Sequence, residues 1–300
     1  MLDREHLETF ATVIEEKSFE RAASVLNVTR GAVSQRVKAL EESLATVLVV
    51  RERPVAQTAA GEVLLRHVKA LRLLENSTLS ELNPQDKRVA PVPVAIAVNA
   101  DSLATWFPRV LWPLLQRHRL AIEVISDDQD HTLQRLVKGE VLGCLSTEAK
   151  PANGFVAEAL GEMEYRCCAT PAFANDHFRH GLTVAAVLES PSVLFNRKDS
   201  LHDEFLEQLF GFRVERYGRH YVPAPAVLLD AILAGVGYGL VPSMQAQHQL
   251  DSGDLVDLAP TKPSRVPLYW HHWAAEPSFA QEITHHIVEG ARQALGTADC

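Results

Sequence analysis

The segment Ser18–Val37, SFERAASVLNVTRGAVSQRV, restricts the fold more than any other, because it reads as two short helices joined by a tight turn. Phe19, Ala22, Ala23 and Leu26 recur at helical spacing and give one apolar face. Asn27-Val28 breaks the period, and Thr29 stands where it can cap a second helix with Val33, Val37 and Leu40 turned inward. The small neighbours Ala22 and Ala23 let the helices cross closely, as a helix-turn-helix requires. Arg30, Ser34, Gln35, Arg36 and Lys38 are left on the outward face, and Arg21–Leu40 holds four bases and no acid in a chain of net charge −9. Such a face suits phosphate contacts and the reading of base edges in the major groove. On spacing alone, the alternative is a helical hairpin with a solvated basic face.

Leu48–Arg51 and Ala56–Thr58 bracket Glu52-Arg53-Pro54 and predict a two-stranded wing, with Arg51 and Arg53 placed for a phosphate or the adjacent minor groove. Thr58 then caps a long helix to about Leu82, with Leu64, Val68, Leu71, Leu74 and Leu82 at near-heptad spacing. An amphipathic helix without a domain of its own to cover it pairs with a copy of itself. Leu64, Val68, Leu71 and Leu74 are therefore expected to form a homodimer seam. Asn83-Pro84 stops the helix, and the polar stretch to Pro91 reads as a hinge.

From Val92 the pattern alternates. Val92–Val98 reads as a strand, Ser102–Gln116 as a helix, Leu120–Ser126 as a strand, Thr132–Lys138 as a helix ended by Gly139, and Val141–Ser146 as a strand. Ser192–Phe195 and Tyr238–Pro242 are further strands, Leu201–Leu209 and Ala226–Ala234 helices, and Leu268–Trp273 leads into a last helix, Ser278–Leu295. Strand-helix alternation implies an α/β domain with a parallel sheet.

The run SF-x-x-AA-x-x-L-x-V-[ST]-x-x-AVS-Q-R-[VI]-K-x-LE, with the LVVR strand and T-x-x-G at Thr58–Gly61, resembles the winged helix-turn-helix of LysR-type transcriptional regulators. VNADSLATWFP (Val98–Pro108), D-x-x-H-T with GEVLG (Asp128–Gly143), LGEM (Leu160–Met163) and PLYW (Pro267–Trp270) are similar to the ArgP/LysG branch, the lysine- and arginine-responsive export regulators. Gly31 departs from the usual Pro or Ser, and Ala45 from a common Gly. The resemblance implies a mainly α winged helix-turn-helix (1–58), a linker helix and hinge (59–90), and a C-terminal α/β two-lobed, periplasmic-binding-protein-like effector domain (91–300). Lobe I would be 91–162 with 267–300, and lobe II 163–266, with crossings near Gly161–Tyr165 and Ser264–Leu268. It further implies operator DNA, RNA polymerase and a second or fourth copy of the chain as partners. No cofactor is expected, only an amino-acid effector such as lysine. The expected role is activation of a basic amino-acid exporter gene. Control of uptake, biosynthesis or chromosome replication initiation is the alternative.

The effector would sit between the lobes at the carboxyl ends of the strands. Asn99-Ala100-Asp101-Ser102 follows a strand and opens a helix, so free N–H groups and the Ser102 hydroxyl could take a carboxylate. Asp101 or Ser102 acting only as an N-cap is the plain alternative, and the resemblance favours Ser102 as a ligand contact. Asp128, in a run with Asp127 and Asp130, would meet a cationic group, or else is a solvated loop residue. Asn196 and Asp199 follow the Ser192 strand and could close from the other lobe. Trp106, Tyr238 and Trp270 could wall an aliphatic stem, although aromatics are more often core.

Several features exclude other classes. No apolar run reaches membrane-spanning length, and MLDREHLETF lacks signal-peptide character. Cys144, Cys167, Cys168 and Cys300 show no disulfide or metal spacing, which fits a reducing cytoplasm. Gly235-Val-Gly-Tyr-Gly239 follows a helix, the reverse of dinucleotide-loop order, and reads as a helix end. His271-His272 and His285-His286 are neighbours that face apart, so no metal site is expected. No catalytic arrangement has motif support, so an enzyme is not expected. A transport solute-binding protein would share the second fold, but the first eighty residues argue against it.

Overall fold

The computed structural model describes residues 2–82, 91–117, 119–126 and 129–296. Three helices open it: α1 (Arg4–Glu16), α2 (Phe19–Val25) and α3 (Arg30–Ser43). Each begins on a polar cap, with Asp3, Ser18 and Thr29 accepting the N–H of His6, Arg21 and Ala32. Asn27 turns the chain at φ 54°, a left-handed conformation that Asn tolerates. Phe10, Ala22, Val33 and Val37 are fully buried where the helices cross. The wing strands β1 (Val49–Val50) and β2 (Ala56–Gln57) pair antiparallel. Glu41 Oε1 accepts the N–H of Leu48 (2.8 Å) and Val49 (3.2 Å), fastening the wing to α3.

Ala45 ends α3 at φ 50°. A Cβ is strained there and Gly is not, so Ala45→Gly is expected to raise stability by about 0.5–1 kcal/mol. Urea unfolding checks this, and an unchanged or lower midpoint contradicts it.

Thr58 Oγ1 accepts the N–H of Gly61 (3.0 Å) and opens α4 (Ala59–Leu82). This helix has two covered faces. Leu64, Leu65 and Val68 lie in the core of the N-terminal helices, with Leu71 packed against it. Leu73 joins the core of the C-terminal domain. The expected seam is thereby corrected: Leu64 and Val68 are used within the protomer, because α4 does have a domain of its own to cover. Val63 and Leu74 stay open, at 59% and 45% exposure. The expected hinge at 83–90 lies outside the described residues.

In the C-terminal domain, β3 (Val92–Val98) lies between β4 (Leu120–Ser126) and β5 (Gly143–Ser146), both parallel to it. Ser102–Gln116, expected as one helix, is two: α5 (Ala100–Ala104) and α6 (Phe107–Arg117). The restart at Phe107 puts Pro108 in the first turn of α6, where its missing N–H leaves no hydrogen bond unmade. After α7 (Gln129–Val137), β5 and a loop, β6 (Phe155–Ala169) runs antiparallel to β11 (Ser264–Trp273) over almost its whole length, and together they span both lobes. Their register shifts at Leu268/Tyr269, opposite Gly161, within the expected crossings. Lobe II carries α8 (Pro171–His177), α9 (Val184–Glu189), β7 (Ser192–Leu194), α10 (Leu201–Phe210), β8 (Arg219–Tyr221) and α11 (Pro225–Leu233). It continues with β9 (Gly239–Pro242), α12 (Ser243–Ser252) and β10 (Val256–Asp257). β9 and β10 both pair with the far end of β6, and β7 pairs with β8. The last helix, α13 (Ser278–Leu295), returns to cover lobe I beside α6 and β6.

Candidate functional site

On α3, Arg30, Gln35 and Lys38 are exposed, Ser34 is half-buried, and Thr29 holds the N-cap. Arg30 pairs with Glu20 (3.0 Å) and Lys38 with Glu42 (3.5 Å). Exposed pairs of this kind contribute at most about 1 kcal/mol, so a phosphate can displace either acid. Arg51 is held by Glu41 (3.2 Å) with its guanidinium carbon 5.7 Å from the Phe19 ring centre, and Arg53 is exposed beside it. Arg36 departs from the expectation. Its side chain, 22% exposed, turns toward α1 and pairs with Glu5 (2.5 Å), because its position flanks the buried stripe of Val33, Val37 and Leu40. It braces α3 and does not project from it. Gln35→Ala is expected to weaken specific operator binding by about 1–3 kcal/mol without changing the salt dependence. Titrations at two salt concentrations check this, and unchanged specific affinity contradicts it.

Asp101, in the first turn of α5, accepts a hydrogen bond from the Tyr165 hydroxyl (2.7 Å) on β6, a contact that joins lobe I to the lobe II side of the hinge strand. Burial holds the Asp101 carboxyl above its usual range, the Tyr165 bond opposes this, and the Asp199 carboxylate adds to it. Burial likewise pushes the Tyr165 phenol well up, so it remains a donor at neutral pH. Asp199 is fixed by its turn: Asn196 Oδ1 accepts its N–H (3.0 Å), and its own Oδ1 accepts that of Leu201 (3.0 Å). Two carboxylates from opposite lobes therefore converge on one cleft, whose apolar wall includes Phe195, Leu201 and Leu228. In the turn that carries Asp101, Asn99 Oδ1 and Ser102 Oγ are buried without a hydrogen-bond partner among the described residues, as is Nδ1 of His202 in the lobe II wall of the cleft. Asn99 takes the N-cap backbone position of α5, but its side chain does not cap the helix. The cavity between these side chains is about 20 Å³, room for one water.

The three proposed aromatic walls lie elsewhere. Trp106 stacks edge-on against Phe107 (5.5 Å), Trp270 donates to Thr284 Oγ1 (3.3 Å) under α13, and Tyr238 packs on Phe178 (4.9 Å). All three are core residues, since rings of this area are most stable when fully dehydrated. Asp127, Asp128 and the side chain of Asp130 lie outside the described residues.

The family model for a bacterial regulatory helix-turn-helix protein of the lysR family matches residues 4–62, and that for a LysR substrate binding domain matches residues 93–292. The chain belongs to the LysR family of transcriptional regulators. It is 41% identical to the HTH-type transcriptional regulator ArgP of Photobacterium profundum, over 94% of this chain and 95% of that one. Its fold is similar to the crystal structure of ArgP from Mycobacterium tuberculosis (37% identity, TM-score 0.87, 97% and 98% of the two chains). It is also similar to full-length LysG of Corynebacterium glutamicum with bound effector Arg (34% identity, TM-score 0.84, 98% and 99%).

In this LysR-family regulator the polar cleft residues that sequence reasoning missed include Tyr165, His202 and Gln245. Tyr165 alternates with Met163 and Cys167 on the buried face of β6, and His202 shares the buried face of α10 with Phe205 and Leu206, so in the sequence each reads as ordinary core. Gly235, at φ 72°, closes α11 with its N–H bonded to Ile232 O (2.9 Å), the helix end expected of that glycine run. His272 bonds to Glu276 (3.1 Å) and His271 to the Glu148 carbonyl (2.6 Å), in separate networks. Among the described residues no helix is long and apolar enough to cross a membrane.

Proposed function

We propose that this LysR-family regulator binds operator DNA through α3 and the wing, binds lysine or arginine between its lobes, and in response activates a gene for basic amino-acid export. The convergence of Asp101 and Asp199 from opposite lobes carries the effector assignment. Asp101 is largely dehydrated, and an ammonium or guanidinium entering between it and Asp199 would form charge-assisted bonds with both. Ser102 and Asn99 offer polar atoms on lobe I for the α-carboxylate and α-amino groups, and Phe195, Leu201 and Leu228 an apolar path for the stem. The arginine bound by the LysG relative supports the same ligand class. A cavity of about 20 Å³ is smaller than an amino acid, so this reading requires the walls of the cleft to part when the ligand binds. Titration calorimetry of the full chain with L-lysine, L-arginine, L-glutamate and L-leucine tests this. The basic pair should bind and the others should not. Equal binding of glutamate or leucine contradicts the assignment.

Assembly follows from α4. Val63 and Leu74, eleven residues apart, share one exposed face and would meet their counterparts in a second copy. Leu74→Asp is expected to shift the protein to monomers in sedimentation and to weaken operator binding. Unchanged oligomers move the seam elsewhere.

A further inference from the structure

We propose that Arg66 ties the last turn of α7 to the linker helix, and that this clamp carries the state of the effector cleft to the DNA-binding helices. The clamp itself is read from the contacts of Arg66. Its regulatory role rests on the cleft reading above.

The linker helix α4 is shared between domains: Leu64, Leu65 and Val68 belong to the N-terminal core, and Ala70 packs against the cluster of Leu136, Val141 and Phe155 in lobe I. Arg66 lies on the lobe I side. Its Nη1 donates to the carbonyl of Val137 (2.7 Å), the last residue of α7. A C-terminal carbonyl has no donor within its own helix and sits at the negative end of the helix dipole, so a guanidinium there is favoured twice over. The same guanidinium lies 5.6 Å from the ring centre of Phe155, the first residue of the hinge strand β6. Gly139 completes the fit. At φ 66° it ends α7, and a Cβ there would stand 2.8 Å from Arg66 Cγ, so the approach depends on a glycine.

The other end of α7 reaches the cleft. Ser126, which ends β4, is level with Val98, which leads into Asn99–Ser102, and α7 begins at Gln129. Thr132 Oγ1 donates to Leu145 O (3.1 Å) and fixes this end to β5. Nine residues of helix, about 13 Å, thus run as one rod from the cleft edge to α4. A ligand that shifts the cleft edge moves the rod, and Arg66 passes the movement to the helix on which the DNA-binding domain is mounted. Arg66 is a positioning residue: it acts through α7 and α4, on neither ligand nor DNA directly.

The test uses the full chain with Arg66→Met, Arg66→Lys and Gly139→Ala. Affinity for the DNA upstream of its own gene is measured with and without saturating L-arginine, beside calorimetric titration of arginine itself. The wild type should change affinity by about 10-fold on arginine binding. Arg66→Met should bind arginine and DNA separately as the wild type does, with that ratio falling toward one. Arg66→Lys, which keeps a donor, should regain part of it, and Gly139→Ala should match Arg66→Met from the α7 side. A wild-type ratio in Arg66→Met overturns the proposal, as does a ratio of one in a wild type that binds arginine. Should the wild type bind neither arginine nor lysine, the effector assignment fails. Hydrogen exchange of the ligand-free chain then decides on the clamp: Arg66→Met should speed exchange at Lys138–Leu142 and along Arg66–Leu73 together, and unchanged exchange at both overturns it.

Discussion

Asp101→Asn is expected to weaken lysine and arginine binding by about 2–5 kcal/mol while leaving the folded protein at least as stable as the parent. The two effects have opposite signs for one reason. Burial and the nearby Asp199 hold the folded Asp101 carboxyl above its unfolded range. A raised carboxyl favours the fold below its unfolded pKa of 3.8, and that advantage is lost as pH rises through the folded value. At neutral pH the carboxylate is therefore a cost to the fold, which the amide removes. Asn keeps an oxygen for the Tyr165 hydroxyl, so no buried donor is orphaned. Calorimetry with arginine and urea unfolding at neutral pH check both halves. Retained affinity contradicts a role for Asp101 in holding the cation, and joint loss of affinity and stability makes the residue merely structural.

The second large effect is a loss of stability below neutrality, traced to His202. Its ring is fully dehydrated in lobe II, 3.5 Å from the Tyr238 hydroxyl through Nε2. Burial, with the Asp203 carboxylate opposing and Arg219 adding, lowers its pKa from 6.5 to about 4. A depressed histidine contributes stability above its unfolded pKa that is lost as pH falls toward the folded value. The span from 6.5 to about 4 corresponds to about 3 kcal/mol. His272 works the other way. Burial lowers it, but the Glu276 hydrogen bond and the Glu276 and Glu158 charges prevail and raise it. Its contribution is full below 6.5 and fades as pH rises, so raw pH profiles mix the two. Comparing the wild type with His202→Gln separates them: between pH 6.5 and 4.5 the variant should lose about 2–3 kcal/mol less stability. Parallel profiles contradict the assignment.

The N-terminal fold was legible because its signals are local. Ser18 and Thr29 cap, Ala22 and Ala23 allow the crossing, and Val33 and Val37 repeat inward, each within one or two turns. Arg36 was misplaced because three consecutive polar side chains, Ser34, Gln35 and Arg36, cannot all face outward on a helix of 3.6 residues per turn, and the one nearest α1 found Glu5. The α4 seam was misread for a related reason: periodicity marks an apolar stripe but not what covers it. In the C-terminal domain the alternating strands and helices of lobe I were readable. The strand Phe155–Ala169 was not, because it serves two lobes and its burial pattern changes along its length. The cleft was half legible. Asp101, Ser102 and Asp199 follow strand ends, where topology places ligands. Tyr165 enters the site through long-range pairing of β6 with β9 and β11, which leaves no local trace.

A basic amino acid in the cleft is expected to change how α3 and the wing engage DNA. Footprinting of the full chain on the DNA upstream of its own gene, with and without L-lysine or L-arginine, checks this. A protected site with two-fold symmetry, whose extent or affinity changes with the basic amino acids and not with glutamate or leucine, is the expected result. A footprint indifferent to lysine and arginine, or altered equally by glutamate, contradicts it.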